Sequence, residues 1–199
     1  DSPIIITIVR KGDGYAGSTS GLNASSEAAL KRVTVNGTTL SIVSNNHVIY
    51  PSVYKSVPFD PVGDITPIAV VGSTPIVLVV NPKVPARNAQ ELIALLKAKP
   101  DELNYASSGP GTPYHMAGEL FKAMADVQIV HVPYKGSSGA RTDVIGGQVQ
   151  MMFDAVTTMS EFAKNGKVKA LGTTGKTRSS VMPDVPTIAE AGVPGYEAT

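Results

Sequence analysis

The order of apolar runs and helical periodicities along this chain predicts an α/β fold, built on a largely parallel sheet with helices on both faces. Three observations carry the prediction. Short β-branched runs such as Ile4 to Val9 and Ile76 to Val80 have strand length and composition. Between them lie segments with helical spacing, as in Leu92, Leu95 and Leu96. Glycine-, serine- or asparagine-rich turns follow several of the strands, where ligand loops of open α/β sheets gather.

The first strand, Ile4 to Val9, runs into a Gly/Ser-rich turn from Gly12 to Gly21 and then a helix from Ala24 to Arg32. Thr39 to Val43 is the second strand, bounded by Asn36-Gly37 before it and by Ser44-Asn45-Asn46-His47 after it. That polar cluster past a buried strand reads as a ligand loop. Residues 51 to 67 carry Pro51, Pro58, Pro61 and Pro67, each of which removes a donor and restricts its predecessor, so a surface connection is expected. Strands Ile68 to Val71 and Ile76 to Val80 follow, and at Asn81-Pro82 the chain crosses between lobes. Residues 1–78 are therefore expected to form a first lobe and residues 79–199 a second, which ends with the start of a return to the first.

In the second lobe, Ala89 to Lys99 is a helix packed by its leucines. The segment LNYASSGPGTPYHMAGELF, Leu103 to Phe121, is a strand, a small polar turn and a helix opening at Pro113. Val127 to Val132 is a strand with Pro133-Tyr134-Lys135-Gly136 as its exit turn. Ala140 to Ile145 is a short helix, Val149 to Asp154 a strand, residues 157–165 a helix and Val168 to Leu171 a strand. A Thr/Gly/Ser/Pro loop then leads through Pro186 to a short helix at Thr187 to Ala191.

Composition excludes several classes of function. The 199 residues carry a net charge of +1 with 42% hydrophobic and 17% charged residues, as an ordered globular protein does. Lysines and arginines are scattered without interleaved aromatics, so no nucleic-acid partner is expected. The absence of cysteine removes disulfides, thiolate metal sites and a cysteine nucleophile together. No run approaches the roughly 18 to 20 apolar residues needed to span a bilayer. The N-terminus lacks a leader pattern, so an exported protein would be present here in its mature form.

The turn from Ser107 through Ser108, Gly109 and Gly111 to Thr112 has the residue types of an anion site. Small residues leave backbone N–H groups accessible, Thr112 suits the helix cap and Pro113 the first helical position. The competing reading is that these residues only end a strand and cap a helix. GDGYAG, Gly12 to Gly17, matches a dinucleotide fingerprint, yet no helix follows promptly and the next strand ends in Ser44-Asn45-Asn46 instead of an acid. No nucleophile elbow or Walker loop occurs, and His47, His115 and His131 lack ligand spacing, so neither a catalytic centre, a metal nor a cofactor is expected. His115, in the first turn of the helix, suits a neutral hydrogen-bonding role because the positive helix end disfavours its charged form. Asp154 closes a strand at the same sheet edge and is either a site carboxylate or a helix cap. Lys135, Gly136, Ser137 and Ser138 form another turn at a strand end. Such turns suit holding a small polar ligand better than transforming it.

At HVPYKGSSGARTDVIGGQVQMMFDA and LGTTGKTRSSVMPDVPTIAEAGVPGYEAT the chain resembles the Bug-type solute receptors of tripartite tricarboxylate transporters. The resemblance extends back through LNYASSGPGTPYHMAGELFKAMA, VLVVNPKVPARNAQELIALLKAKP and YPSVYKSVPFDPVGDITPIA, and more loosely through PIIITIVRKGDGYAGSTSGLNASSEAAL. Ala155 departs from it, standing where Asn is common after the Phe-Asp pair, and so does the glycine turn GDGYAGSTSG. The resemblance implies a two-lobed periplasmic binding protein fold of type II-like form, with the first lobe incomplete at both chain ends. It implies a small mono-, di- or tricarboxylate held between the lobes, delivery to membrane permease subunits, a monomeric receptor and no enzymatic step. Carried onto this chain, the ligand-binding residues are Ser44 and Asn45 from the first lobe. From the second they are Ser107, Ser108, Gly109, Gly111, Thr112, His115, Lys135, Gly136, Ser137 and Asp154. A nucleotide-dependent α/β enzyme and an effector-sensing domain of the same shape are the alternatives.

Overall fold

The computed structural model describes residues 2–10, 32–35, 38–43, 46–57, 60, 63 and 66–198. Ser44, Asn45, the Gly12 to Gly17 turn and the expected helix up to residue 31 lie outside the described residues. The chain forms two compact units, Ser2–Ser73 and Thr74–Thr199. The division lies earlier in the chain than the expected one after residue 78, because Ile76 to Val80 belongs wholly to the second unit.

In the first unit, β1 (Ser2–Arg10), β2 (Arg32–Val35), β3 (Thr38–Val43) and β4 (Thr66–Thr74) form one sheet in the order β2-β3-β1-β4. Arg32, expected to end a helix, opens β2. Both β1 and β2 run antiparallel to β3, Ile5 opposite Val43 and Val35 opposite Thr38. The expected parallel arrangement therefore fails here, since an apolar run has the same composition whichever way its partner runs. Helix α1 (Asn46–Val53) takes in Asn46 and His47, half of the expected ligand loop, and ends soon after Pro51.

The second unit holds a five-stranded sheet in the order β7-β6-β8-β5-β9. Its elements are β5 (Ile76–Val80), α2 (Ala89–Ala98), β6 (Asn104–Ser107), α3 (Pro113–Ala125), β7 (Val130–Pro133), α4 (Ser137–Gly146), β8 (Met151–Ala155), α5 (Val156–Lys164) and β9 (Lys169–Thr173). β6 runs parallel to both β7 and β8, and β5 runs antiparallel to both β8 and β9. Four strands thus point one way and β5 alone is reversed.

All five residues of β5 are buried, and its alternation divides the core. Ile76, Leu78 and Val80 join Leu92, Leu96, Tyr105, Phe121, Met151, Phe153 and Tyr196 on the face covered by α2 and α3. Val77 and Val79 join Ala106, Ala140, Val144, Met152 and Met159 on the face covered by α4 and α5. Each large side chain so buried contributes roughly 1.5 to 3 kcal/mol. Gly118 lets α3 lie directly on β6, since a Cβ there would stand 2.4 Å from the Tyr105 ring.

Asn81, expected at a crossing between lobes, is instead a buried pin. Its amide donates to Val144 O at 2.7 Å and Ile145 O at 3.1 Å, satisfying the C-terminal carbonyls of α4, while its Oδ1 accepts from Lys83 N–H. The expected helix at Thr187 to Ala191 is a turn closed by Ala191 N–H to Thr187 O at 2.9 Å. A reciprocal capping box is present, Thr187 N–H to Glu190 and Glu190 N–H to Thr187 Oγ1, but Gly192 and Pro194 leave no helix to cap.

Candidate functional site

Because β6, β7 and β8 are parallel neighbours, their carboxyl ends share one sheet edge, and each leads straight into a helix, α3, α4 or α5. β5, being reversed, begins at this edge, with Ile76 opposite Ala155. Ser107, Lys135 and Asp154 are thereby brought to one rim from three strands, as the sequence order of strand and turn implies.

The Ser107 to Thr112 turn does not present a set of open amides. Gly109 N–H donates to Ser107 Oγ at 3.1 Å, Gly111 N–H to His115 Nδ1 at 3.1 Å and Thr112 N–H to Gly109 O at 3.3 Å. The Thr112 hydroxyl donates to Gly109 O at 2.7 Å and accepts from His115 N–H, capping α3. Ser107, Gly109 and Gly111 are buried, whereas Ser108 and Thr112 are half-buried. Three amides and two hydroxyls that the anion reading takes as open are thus engaged within the turn or with His115 and His131, and the cap reading describes Thr112. Positive φ at Gly109 (131°) and Gly111 (74°) explains why glycine stands at both positions.

The next turn is different. Gly136 (φ 114°) precedes α4 without any side-chain cap, and its N–H donates to Ser108 O at 3.2 Å, tying the two turns together. Ser137 is half-buried, Ser138 and Gly139 are exposed, and Lys135 is exposed with no ion pair among the described residues. Helix α5 begins at Val156 after Ala155, also without a side-chain cap.

Behind the first turn lies a polar stack that the sequence reading did not assemble. Tyr105 faces His131 across the β6/β7 pair, and Ser107, two residues on, falls on the same face. Ser107 Oγ and His131 Nε2 are 2.6 Å apart, the His131 ring stacks on Tyr105 at 4.7 Å and on His115 at 4.2 Å, and Tyr105 donates to Glu119 at 2.5 Å. Burial, reinforced by the neighbouring His115, lowers the His131 pKa to about 4, and burial lowers that of His115. Both rings are therefore neutral near pH 7, and His115 has the neutral role expected of it, as acceptor for Gly111 N–H. Burial opposes ionisation of Glu119, but hydrogen bonds from Tyr105 and Lys122 outweigh it and hold the carboxyl below its usual value. The Ser107–His131 pair has the spacing of a nucleophile and its base, yet Ser107 is 0% exposed, so no substrate atom can reach its hydroxyl.

Asp154 is also 0% exposed. Its even register with Met152 turns it to the face covered by α4, where Arg141 Nε donates to Oδ2 at 2.5 Å and Nη2 to Oδ1 at 3.1 Å; Ala155 N–H adds a contact to Oδ1 at 2.8 Å. Burial, and after it the Asp154 charge, raises the neighbouring Tyr114 hydroxyl to about 12. Arg141 and Tyr114 escaped the sequence reading because nothing local marks them; the register of β8 against α4 selects Arg141, whereas Tyr114 comes from the first turn of α3. Among the described residues no three His, Asp or Glu side chains gather to hold a metal, and no helix is long and apolar enough to cross a membrane.

Residues 16–199 match the model of the tripartite tricarboxylate transporter family receptor. A curated protein from the tcbD-tcbE intergenic region of Pseudomonas sp. strain P51 is 39% identical over 163 residues, 81% of this chain and 48% of its own length. A Rhodopseudomonas palustris protein solved with adipate superposes with TM-score 0.70 at 37% identity, covering 73% of this chain and 48% of that one. The periplasmic binding protein BugD superposes with TM-score 0.72 at 32% identity, covering 76% and 51%. The chain spans about half the length of the curated relative and the solved neighbours it matches.

Proposed function

We propose, from the premise that this chain belongs to the tripartite tricarboxylate transporter receptor family, that it is the ligand-holding part of a periplasmic receptor for a small organic carboxylate. The family is one of receptors, not enzymes. The observation that carries the reading is the sheet edge where α4 opens uncapped beside exposed Lys135, with Ser108 and Ser137 next to it. Free first-turn amides and a nearby cation favour an anion there, and charge-assisted hydrogen bonds supply most of the binding free energy. The solved neighbour holding adipate supports the choice of a carboxylate, and BugD supports the periplasm. Ser44 and Asn45 remain part of the proposal as first-lobe contacts, as does delivery of the ligand to a membrane permease.

The nucleotide alternative is weakened by the reversed pairing of β1 and β3, because a dinucleotide crevice is built on parallel strands. Titration calorimetry with adipate and with adipamide, the same skeleton without charge, tests the proposal. Saturable binding of adipate and none of adipamide is expected. Equal heats for the two would overturn it.

A further inference from the structure

We infer that the carboxylate of the ligand is met at this edge by the guanidinium of Arg141, and that Asp154 is not a contact but the positioning residue that aims it. The inference deepens the receptor reading above and rests on it. Arg141 lies one turn into α4, four residues after Ser137, and helical side chains lean toward their N-terminus, which brings its head back to the strand ends. There the buried carboxylate of Asp154 grips one edge of the fork, taking Nε–H and one Nη2–H. A guanidinium has five N–H donors in a plane, so the end carrying Nη1 and the second Nη2 hydrogen remains for a bidentate carboxylate.

Accessibility separates the two partners: the Arg141 side chain is 24% exposed and that of Asp154 0%. Asp154 already accepts from Arg141 twice and from Ala155 N–H, and its negative charge would repel a second carboxylate. A buried ion pair is weak evidence for stability as such, since apolar replacements of both partners are often as stable. An arginine fork gripped along one edge by a buried carboxylate, and itself partly exposed, is, however, a preorganised anion contact that leaves the ligand less side-chain ordering to drive than a free arginine would.

The adipate titration with two variants tests this. Removing Arg141 alone would strand a buried charge, so Arg141→Met is combined with Asp154→Asn; Arg141→Lys keeps a cation beside Asp154 and loses the fork. The double variant is expected to melt cooperatively and to lose adipate binding by about a hundredfold, about 2.8 kcal/mol, and Arg141→Lys, which keeps the charge but not the fork, to lose about tenfold, about 1.4 kcal/mol. Adipate affinity within twofold of the parent in either folded variant would overturn the inference, leaving Arg141 as no more than a partner for Asp154. If the parent protein itself binds adipate and adipamide equally, it is the receptor reading that fails.

Discussion

At the scale of single residues, what a side chain already holds decides what it can offer a ligand. The Thr112 hydroxyl has one proton, and Gly109 O takes it at 2.7 Å. Thr112→Ala is therefore expected to cost about 1 kcal/mol of stability through loss of the cap, and to leave adipate affinity within a few-fold. Urea denaturation beside calorimetry separates the two effects; unchanged stability with lost affinity would return the hydroxyl to the site. His131 makes a prediction about pH. Its folded pKa of about 4 lies below the ordinary 6.5, so the unfolded chain binds the proton first as pH falls. Its contribution is complete above about pH 6.5 and is lost progressively toward pH 4. Glu119, a carboxylate held low, loses its own contribution only at more acidic pH, so it does not mask the window. The melting temperature is expected to fall between pH 7 and pH 5, and His131→Gln to flatten that slope. An equal slope in the variant would show that other groups carry it.

At the scale of elements, register turns scattered residues into units. Tyr105 and Ser107 share a face through their two-residue spacing, but His131 joins them only because β6 and β7 pair with Tyr105 opposite His131. Asp154 finds Arg141 because even positions of β8 face α4. Asn81 does the same for a helix end: its amide satisfies two carbonyls of α4, whose C-terminus is already turned by Gly147 at φ 84°. Asn81→Ala leaves those carbonyls buried without that donor, and is expected to destabilise the second unit by about 1 to 3 kcal/mol, read as a lower urea midpoint at unchanged slope. A shift of only a few tenths would mean that water replaces the amide. Because α4 opens at the proposed site, the same variant also loosens the element that carries Arg141.

At the scale of the whole molecule, the chain's own periodicities were enough to establish an α/β protein and to locate β5, α2, β6, α3 and β8 within a few residues, because those elements bury apolar faces and carry their caps locally: Asn88 before α2, Thr112 before α3. They also brought Ser107, Lys135 and Asp154 to one edge, since strand order alone says which ends carry turns. The directions of β5 and of the strands in the first unit were beyond them. Ile76 to Val80 reads identically in either sense, and its reversal, like the antiparallel pairing of β1 with β3, is decided by partners far away in the chain. So is the use of each polar group. Amides that look open along the Ser107 to Thr112 turn are consumed once His115 and the Ser107 hydroxyl swing in, and a carboxylate that looks like a contact is taken by an arginine from the covering helix. Local chemistry is written in neighbouring residues, but hydrogen-bond satisfaction is a property of the packed interior, where each buried donor takes whichever acceptor the fold places within 3 Å or so.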